Sequence, residues 1–163
     1  STNSYYNKYI LNILKSYHIL IVDDALMNRK ILYKLLKNKC KTIIEAEDGE
    51  DAVKKIQNSI NDNNNNVSSF NLILMDSVMP IMNGLEATKI IRSLGYGGII
   101  IGVTGNVNDE DIREFLEKGA DVVLPKPLDV KELIEAVDRV LISRESLSHS
   151  ANKKKFKNNS LNI

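Results

Sequence analysis

The 163-residue sequence predicts an α/β fold built on a doubly wound parallel sheet. Three observations carry that expectation. Short, nearly uninterrupted apolar runs recur along the chain, each of the length expected for a strand buried on both faces. Between them lie segments whose apolar residues return at helical spacing. The connections are short, so successive strands close as right-handed crossovers in a parallel sheet covered on both sides.

Residues 1–16 form a lead-in, in which Tyr6, Tyr9, Ile10, Ile13 and Leu14 mark an amphipathic helix. Two readings of it stand side by side: a short helix patching the domain surface, or the end of a linker helix from an upstream module. His18-Ile19-Leu20-Ile21-Val22 is the first strand and ends on Asp23-Asp24. The helix after it runs from about Leu26 and turns Ile31, Leu32, Leu35 and Leu36 inward. Thr42–Ala46 is the second strand, and Ala52, Val53, Ile56 and Ile60 face inward from the next helix. The asparagine-rich run from Asn61 to Asn66 cannot bury apolar surface and is expected to be a mobile loop.

The stretch from Phe70 to Asp76 supplies the third strand, an apolar run that stops abruptly on one acid. Pro80 and Asn83-Gly84 punctuate the loop behind it, and a helix with Leu85, Ile90 and Ile91 on one side follows. Ile99–Val103 is the fourth strand, closing on Thr104-Gly105-Asn106. Asn108 is placed to cap the next helix, Asp109, Glu110 and Asp111 suit its positive end, and Ile112, Phe115 and Leu116 face the core. Asp121–Leu124 is the fifth strand, followed by Pro125-Lys126-Pro127. Asp129 and Glu132 form a capping box for the last helix, whose stripe is Leu133, Ile134, Val137, Val140 and Leu141. Residues 144–163 are polar and basic and are expected to be a disordered tail, leaving 17–143 as the domain proper. Five such strands suit the flavodoxin-like order 2-1-3-4-5, with its topological switch between strands one and three.

Composition narrows the function. An apolar fraction of 43% supports one domain with a full core. Lysine plus arginine (22) and aspartate plus glutamate (21) nearly cancel, so bulk charge gives no reason to expect a nucleic-acid partner. Cys40 is the sole cysteine, which excludes a disulfide or cysteine metal site within one chain and favours a reducing compartment. The apolar runs are too short to span a bilayer, and Ser1-Thr2-Asn3 opens nothing like a signal peptide. The expected location is the cytoplasm, or the cytoplasmic side of a membrane-anchored parent from which this chain is a piece.

The chemistry gathers at strand ends: Asp23 and Asp24 after strand one, Asp76 after strand three, Thr104 after strand four and Lys126 after strand five. In the 2-1-3-4-5 order, strands one and three are neighbours, so three carboxylates converge at the switch point. That is costly unless a cation neutralises them, and hard oxygen ligands with open water positions suit Mg²⁺. A hydroxyl and an ammonium opposite complete a site for a transferring phosphoryl group, with a carboxylate as nucleophile. No glycine-rich phosphate loop follows strand one, where Asp-Asp stands instead. Singly, each feature has a plain alternative: a helix-capping pair, a turn, a residue that happens to end a strand. Their joint order is what carries weight. His18, His149 and the lysine-rich tail read as ordinary surface or strand-flanking residues.

Taken together, Val22-Asp23-Asp24 with Asn28 and Arg29, Met75-Asp76 with Met79-Pro80-Ile81-Met82-Asn83-Gly84, Thr104 and Lys126-Pro127 resemble the receiver domain of two-component response regulators. Glu45–Gly49 and Gly119-Ala120-Asp121 fit the same pattern, and the resemblance covers residues 17–143. It implies that Asp76 is the phosphoacceptor. It also implies that Asp24, Asp76 and the backbone carbonyl of Val78 ligate Mg²⁺, with Asp23 acting largely through metal-bound water. Thr104 and Lys126 would contact the phosphoryl group, and the Lys126-Pro127 peptide would be cis. The implied partners are a histidine kinase phosphohistidine as donor and a histidine-phosphotransfer protein as acceptor. The phrasing around Asp76 and Thr104 looks like that of hybrid histidine kinase receivers, with a stand-alone response regulator as the alternative. Two positions depart from the pattern: Val123 stands where many receivers have a switching aromatic, and Gly105 where alanine is common. Those departures suggest a domain that passes phosphate onward more than it switches an effector.

Two rival classes would use the same residue types. A haloacid-dehalogenase-type phosphatase needs an acid two residues after its nucleophile, and here that position is Val78. A phosphorylation-independent pseudo-receiver usually lacks an acid, the threonine or the lysine, and all are present. No kinase catalytic core is legible, so the expected chemistry is limited to the chain's own phosphorylation and slow dephosphorylation.

Overall fold

The structure, a computed structural model, describes residues 8, 9, 11–62 and 67–159. Five strands form one parallel sheet: β1 (His18–Val22), β2 (Thr42–Ala46), β3 (Leu72–Asp76), β4 (Ile99–Thr104) and β5 (Val122–Pro125). Their order is β2-β1-β3-β4-β5, as the alternation of elements predicts. The helices are α1 (Leu26–Leu36), α2 (Gly49–Asn61), α3 (Gly84–Ser93), α4 (Asp109–Glu117) and α5 (Val130–Asn159).

Alternation along the strands divides the core in two. Ile19, Ile21, Leu72, Leu74, Ile99 and Ile101 pack on the face covered by α1 and α5. Leu20, Val22, Ile73, Met75 and Ile100 pack on the opposite face with Ala52, Ile56, Ala87, Ile91 and Phe115 of α2, α3 and α4. The helix starts are fixed by short polar side chains. Asp48, Asn83 and Asn108 each accept a bond from the backbone N–H three residues on, at the heads of α2, α3 and α4. Asp129 accepts from the backbone N–H of Lys131 (2.7 Å) at the head of α5, more closely than from that of Glu132 (3.4 Å).

Some expectations need correction. Ile31 and Leu116 do not face the core; they are 51% and 42% exposed, because the contact stripes of α1 and α4 are narrower than their apolar composition. Strand five starts one residue later than expected, since Asp121 is drawn into ion pairs with Arg92 and Arg144. The segment expected to be a disordered tail continues α5 as far as Asn159. No glycine or proline interrupts the sequence after Pro127, and the Ser146 and Ser150 hydroxyls donate to carbonyls one turn back. Arg144 ties the helix to the body through the carbonyls of Gly97 and Gly98. Beyond it, every side chain from Glu145 to Lys155 is exposed.

In the lead-in, residues 8, 9 and 11–14 are helical, and Leu14 is buried in the α1/α5 core. Tyr6 and Ile10 of the proposed stripe, and residues 63–66 of the proposed mobile loop, lie outside the described residues. No helix among the described residues is long and apolar enough to cross a membrane.

One close approach positions the loop behind β3. Gly84 donates its N–H to the Ser77 carbonyl (3.0 Å), and a Cβ there would lie 1.8 Å from the carbonyl oxygen of Asp76. No rotamer relieves a clash with backbone, so only glycine fits. Gly84→Ala is expected to destabilise the domain by about 3 kcal/mol, read as a lower urea midpoint, whereas alanine at open Gly105 should leave the midpoint nearly unchanged.

Candidate functional site

The site sits at the carboxyl ends of the strands, where the order reverses between β1 and β3. Asp76 is the last residue of β3 and Asp23 follows β1; with Val22 paired to Met75, the two acids emerge side by side. Both are nearly inaccessible, at 5% and 2% exposure, while Asp24 lies exposed at the mouth. One carboxylate oxygen from each of Asp23, Asp24 and Asp76 falls within 4.8 Å of the others.

Lys126 reaches across from the end of β5. Its Nζ lies 2.8 Å from Asp76 Oδ1 and 3.1 Å from Asp23 Oδ2. The following peptide, Lys126-Pro127, is cis, as the resemblance implies. Asp23 is held more firmly still. It accepts from the Ala25 N–H (2.8 Å) and from Asn28 Nδ2 (3.2 Å to each oxygen). Arg29 donates to the Asp23 carbonyl (2.7 Å) while pairing with Glu45 on β2 (3.1 Å), fixing the backbone behind the acid.

Electrostatics single out Asp76. Burial pushes its carboxyl above the ordinary range; the hydrogen bond and charge of Lys126 pull against that, Asp23 reinforces it, and a bond from the Val78 backbone eases it. For Lys126, burial disfavours the ammonium, but hydrogen bonds and charge from Asp76 and Asp23 outweigh it and hold its pKa above the usual value. Three carboxylates against one ammonium leave excess negative charge in a poorly hydrated place. That donor set, all hard oxygens with an open side at Asp24, fits a divalent cation of the Mg²⁺ type.

Thr104 ends β4 beside Asp76, whose register partner is Val103. Its hydroxyl bonds Ser77 and Asn106 rather than any acid. Val78 follows with its side chain 78% exposed. All five side chains expected at the strand ends therefore reach one edge of the sheet. Ser77 carries no motif signal in the sequence, and Arg29 is placed there only by resemblance. A cleft of about 280 Å³ opens beside the acids, lined by Asp23, Asp76 and Lys126 and by apolar Ile31, Leu32 and Pro127.

The family model for the response regulator receiver domain matches residues 19–138, which include every one of these residues. The chain belongs to the response regulator receiver family. It is a receiver domain of two-component phosphorelay signalling. Among relatives, it is 35% identical over 121 residues to two-component response regulator 24 of Arabidopsis thaliana, covering 74% of this chain and 81% of that protein. It is 36% identical over 124 residues to hybrid signal transduction histidine kinase I of Dictyostelium discoideum, covering 74% of this chain but only 7% of the kinase. Two solved structures superpose well. The receiver domain of the Arabidopsis thaliana histidine kinase CKI1 complexed with Mg²⁺ and BeF3⁻ has a TM-score of 0.70 at 27% identity, covering 81% of this chain and 94% of that one. The receiver domain of Saccharomyces cerevisiae Ssk1, solved with the phosphotransfer protein Ypd1, gives 0.64 at 26% identity, covering 74% and 85%.

The raised Asp76 pKa sets a pH dependence for the metal-free receiver. The folded state binds the Asp76 proton more tightly than the unfolded chain does, so stability falls as pH rises from the ordinary carboxylate range through the raised folded value. Asp76→Asn removes that loss. In EDTA the variant should melt higher than the parent near pH 8, with the gap closing towards about pH 4; a gap that ignored pH would contradict the assignment.

Proposed function

We propose that Asp76 accepts a phosphoryl group from the phosphohistidine of a histidine kinase and yields it to a histidine-phosphotransfer protein. The observation that carries this reading is the buried Asp76 carboxylate, bonded to Lys126 and crowded by Asp23 and Asp24 at the switch point. An Asp76 oxygen attacks phosphorus, the P–N bond breaks, and its electron pair returns to the histidine ring, which takes up a proton. Lys126 then follows the charge from the carboxylate to the phosphoryl oxygens, and Thr104 donates to one of them. Asp24, Asp76 and the Val78 carbonyl would hold Mg²⁺, with Asp23 joined through water; the bound ion would neutralise the phosphoryl oxygens and the acids together. Labelling from a small donor requires the same groups. Incubation with acetyl phosphate and Mg²⁺ should add one phosphoryl group by intact mass, and Asp76→Asn should abolish the gain. No gain from either a small donor or a kinase would favour a phosphorylation-independent interaction module.

Apolar side chains surround the mouth of the site. Leu26 (54%), Met27 (68%) and Ile31 (51%) are exposed on α1, and Val78 and Ile81 (78% each) on the loop behind Asp76. Ile81 also sits at φ 67, a left-handed conformation that costs a β-branched residue about 1 kcal/mol and gains no burial here. A helical phosphotransfer partner laid across this rim would cover these groups and deliver its histidine to Asp76. The phosphotransfer complex of the Ssk1 receiver supports a partner of that kind. Met27→Asp should lower transfer from such a partner by about tenfold more than it lowers labelling by acetyl phosphate, measured with phosphorylated partner in excess.

The boundaries proposed are 17–143 for the receiver, with residues 1–16 as a lead-in or linker and 144–163 as a polar, basic extension. The likeness to CKI1 and to the Dictyostelium kinase supports a hybrid histidine kinase as parent, acting at the cytoplasm or the cytoplasmic side of a membrane. The plant response regulator supports a stand-alone regulator as the second reading. Val123 is half-buried against the Phe115 side of the core and offers no ring to swing inward, which favours relay over switching. Beryllofluoride should therefore shift amide resonances around Asp76 and Thr104 far more than those across α4, β5 and the near face of α5; large shifts throughout that face would reverse this reading.

A further inference from the structure

Thr104 is fully engaged before any phosphoryl group arrives. A hydroxyl has one proton to give and two lone pairs to offer. Here the Thr104 Oγ1 donates to the Asn106 carbonyl (3.2 Å), accepts from the Asn106 N–H (3.1 Å) and accepts from the Ser77 hydroxyl (3.0 Å). Thr104 is 4% exposed, so water cannot readily replace a partner it loses. The asparagine contacts belong to the turn after β4 and exist wherever that turn is made. The Ser77 contact is different. It joins two strands' ends, and it exists because the β3–β4 pairing runs one step past the strand, with the Ser77 N–H donating to the Val103 carbonyl (3.3 Å).

We infer that Ser77 is a positioning residue that latches Thr104 in its resting orientation, so that forming the Thr104–phosphoryl contact requires breaking the Ser77–Thr104 bond. The inference rests on the reading of Asp76 as phosphoacceptor. The Ser77 hydroxyl bonds Thr104 and not Asp23, Asp24, Asp76 or Lys126; it acts through Thr104. Its position makes the trade direct. Ser77 is covalently next to Asp76, so the residue that holds the threonine back stands directly beside the residue that becomes modified. With the latch present, the resting orientation of Thr104 is favoured and the phosphorylated geometry is reached at a cost. Without it, Thr104 is held only by its turn contacts with Asn106, which it gives up on turning its one proton to the phosphoryl group, and with one restraint fewer the phosphoryl-facing orientation is more populated.

The experiment uses the whole chain and beryllofluoride with Mg²⁺ as the phosphoryl mimic, with affinity measured by titration calorimetry. Ser77→Ala should bind about three- to tenfold tighter than the parent, the range for one neutral hydrogen bond. Ser77→Thr, which keeps the hydroxyl, should restore the parent affinity. In a Thr104→Ala background, Ser77→Ala should change affinity by less than about twofold, because the latch then has nothing to hold. A merely structural serine would affect both backgrounds alike. Unchanged or weaker binding by Ser77→Ala, or an equal gain in the Thr104→Ala background, overturns the inference. Failure of the parent itself to bind the mimic would instead overturn the phosphoacceptor reading.

Discussion

Two buried carboxylates, Asp23 and Asp76, share one ammonium at the end of a parallel sheet, and much of the fold serves to hold them there. Left to themselves, like charges at this separation and burial would part or take up a proton. Neither acid can move far. Asp76 is anchored as the last rung of a strand paired on both sides, and its carbonyl is pressed by Gly84. Asp23 is pinned through its side chain by Ala25 and Asn28, and through its backbone by Arg29, which is braced on Glu45. The strain therefore shows in Asp76, whose carboxyl burial pushes above the ordinary range, and a nearby cation relieves it. Lys126 supplies one charge, and the open side at Asp24 leaves room for another.

Much of this was legible from the order of residue types. The strands are short apolar runs with few other ways to fold, and each acid, hydroxyl or lysine that matters stands where such a run ends. Given the strand order, convergence of Asp23, Asp76 and Lys126 follows without any knowledge of side-chain geometry. What could not be read were features fixed by pairing across space. Ser77 is an unremarked serine until the β3–β4 register sets it against Thr104. Ile31 has the helical spacing of a core residue, but the acid cleft opens beside it and leaves it half in solvent.

The C-terminal segment failed for a different reason. A polar, lysine-rich composition argues against a packed core, and residues 145–155 are indeed all exposed. Yet a helix needs only a nucleus and good propensity to propagate, and α5 supplies the nucleus through Leu133, Val137 and Val140 in the core. Arg144 then grips the loop at Gly97 and Gly98 and shares Asp121 with Arg92. Composition predicts burial; it does not predict where a helix already started will stop. The lead-in adds to the same corner, with Leu14 buried beside the α5 stripe, so both flanks of the domain meet on one face of the sheet, away from the acids.

That separation bears on how long a phosphoryl group would stay on Asp76. Hydrolysis needs a base to take a proton from attacking water. The position two residues past Asp76, where an acid would serve a phosphatase, is Val78, pointing into solvent. Asp23 is near, but its oxygens already accept from Ala25, Asn28 and Lys126, which leaves little lone-pair capacity for an attacking water. Asp24 stands exposed at the open mouth, grouped with the other two acids where a bound cation would take it up. The same contacts that hold the acids together thus leave the site well equipped to receive a phosphoryl group and poorly equipped to destroy it. On the proposed reading, loss of the group would then depend on what comes to the apolar rim, where a partner's histidine would do what water cannot.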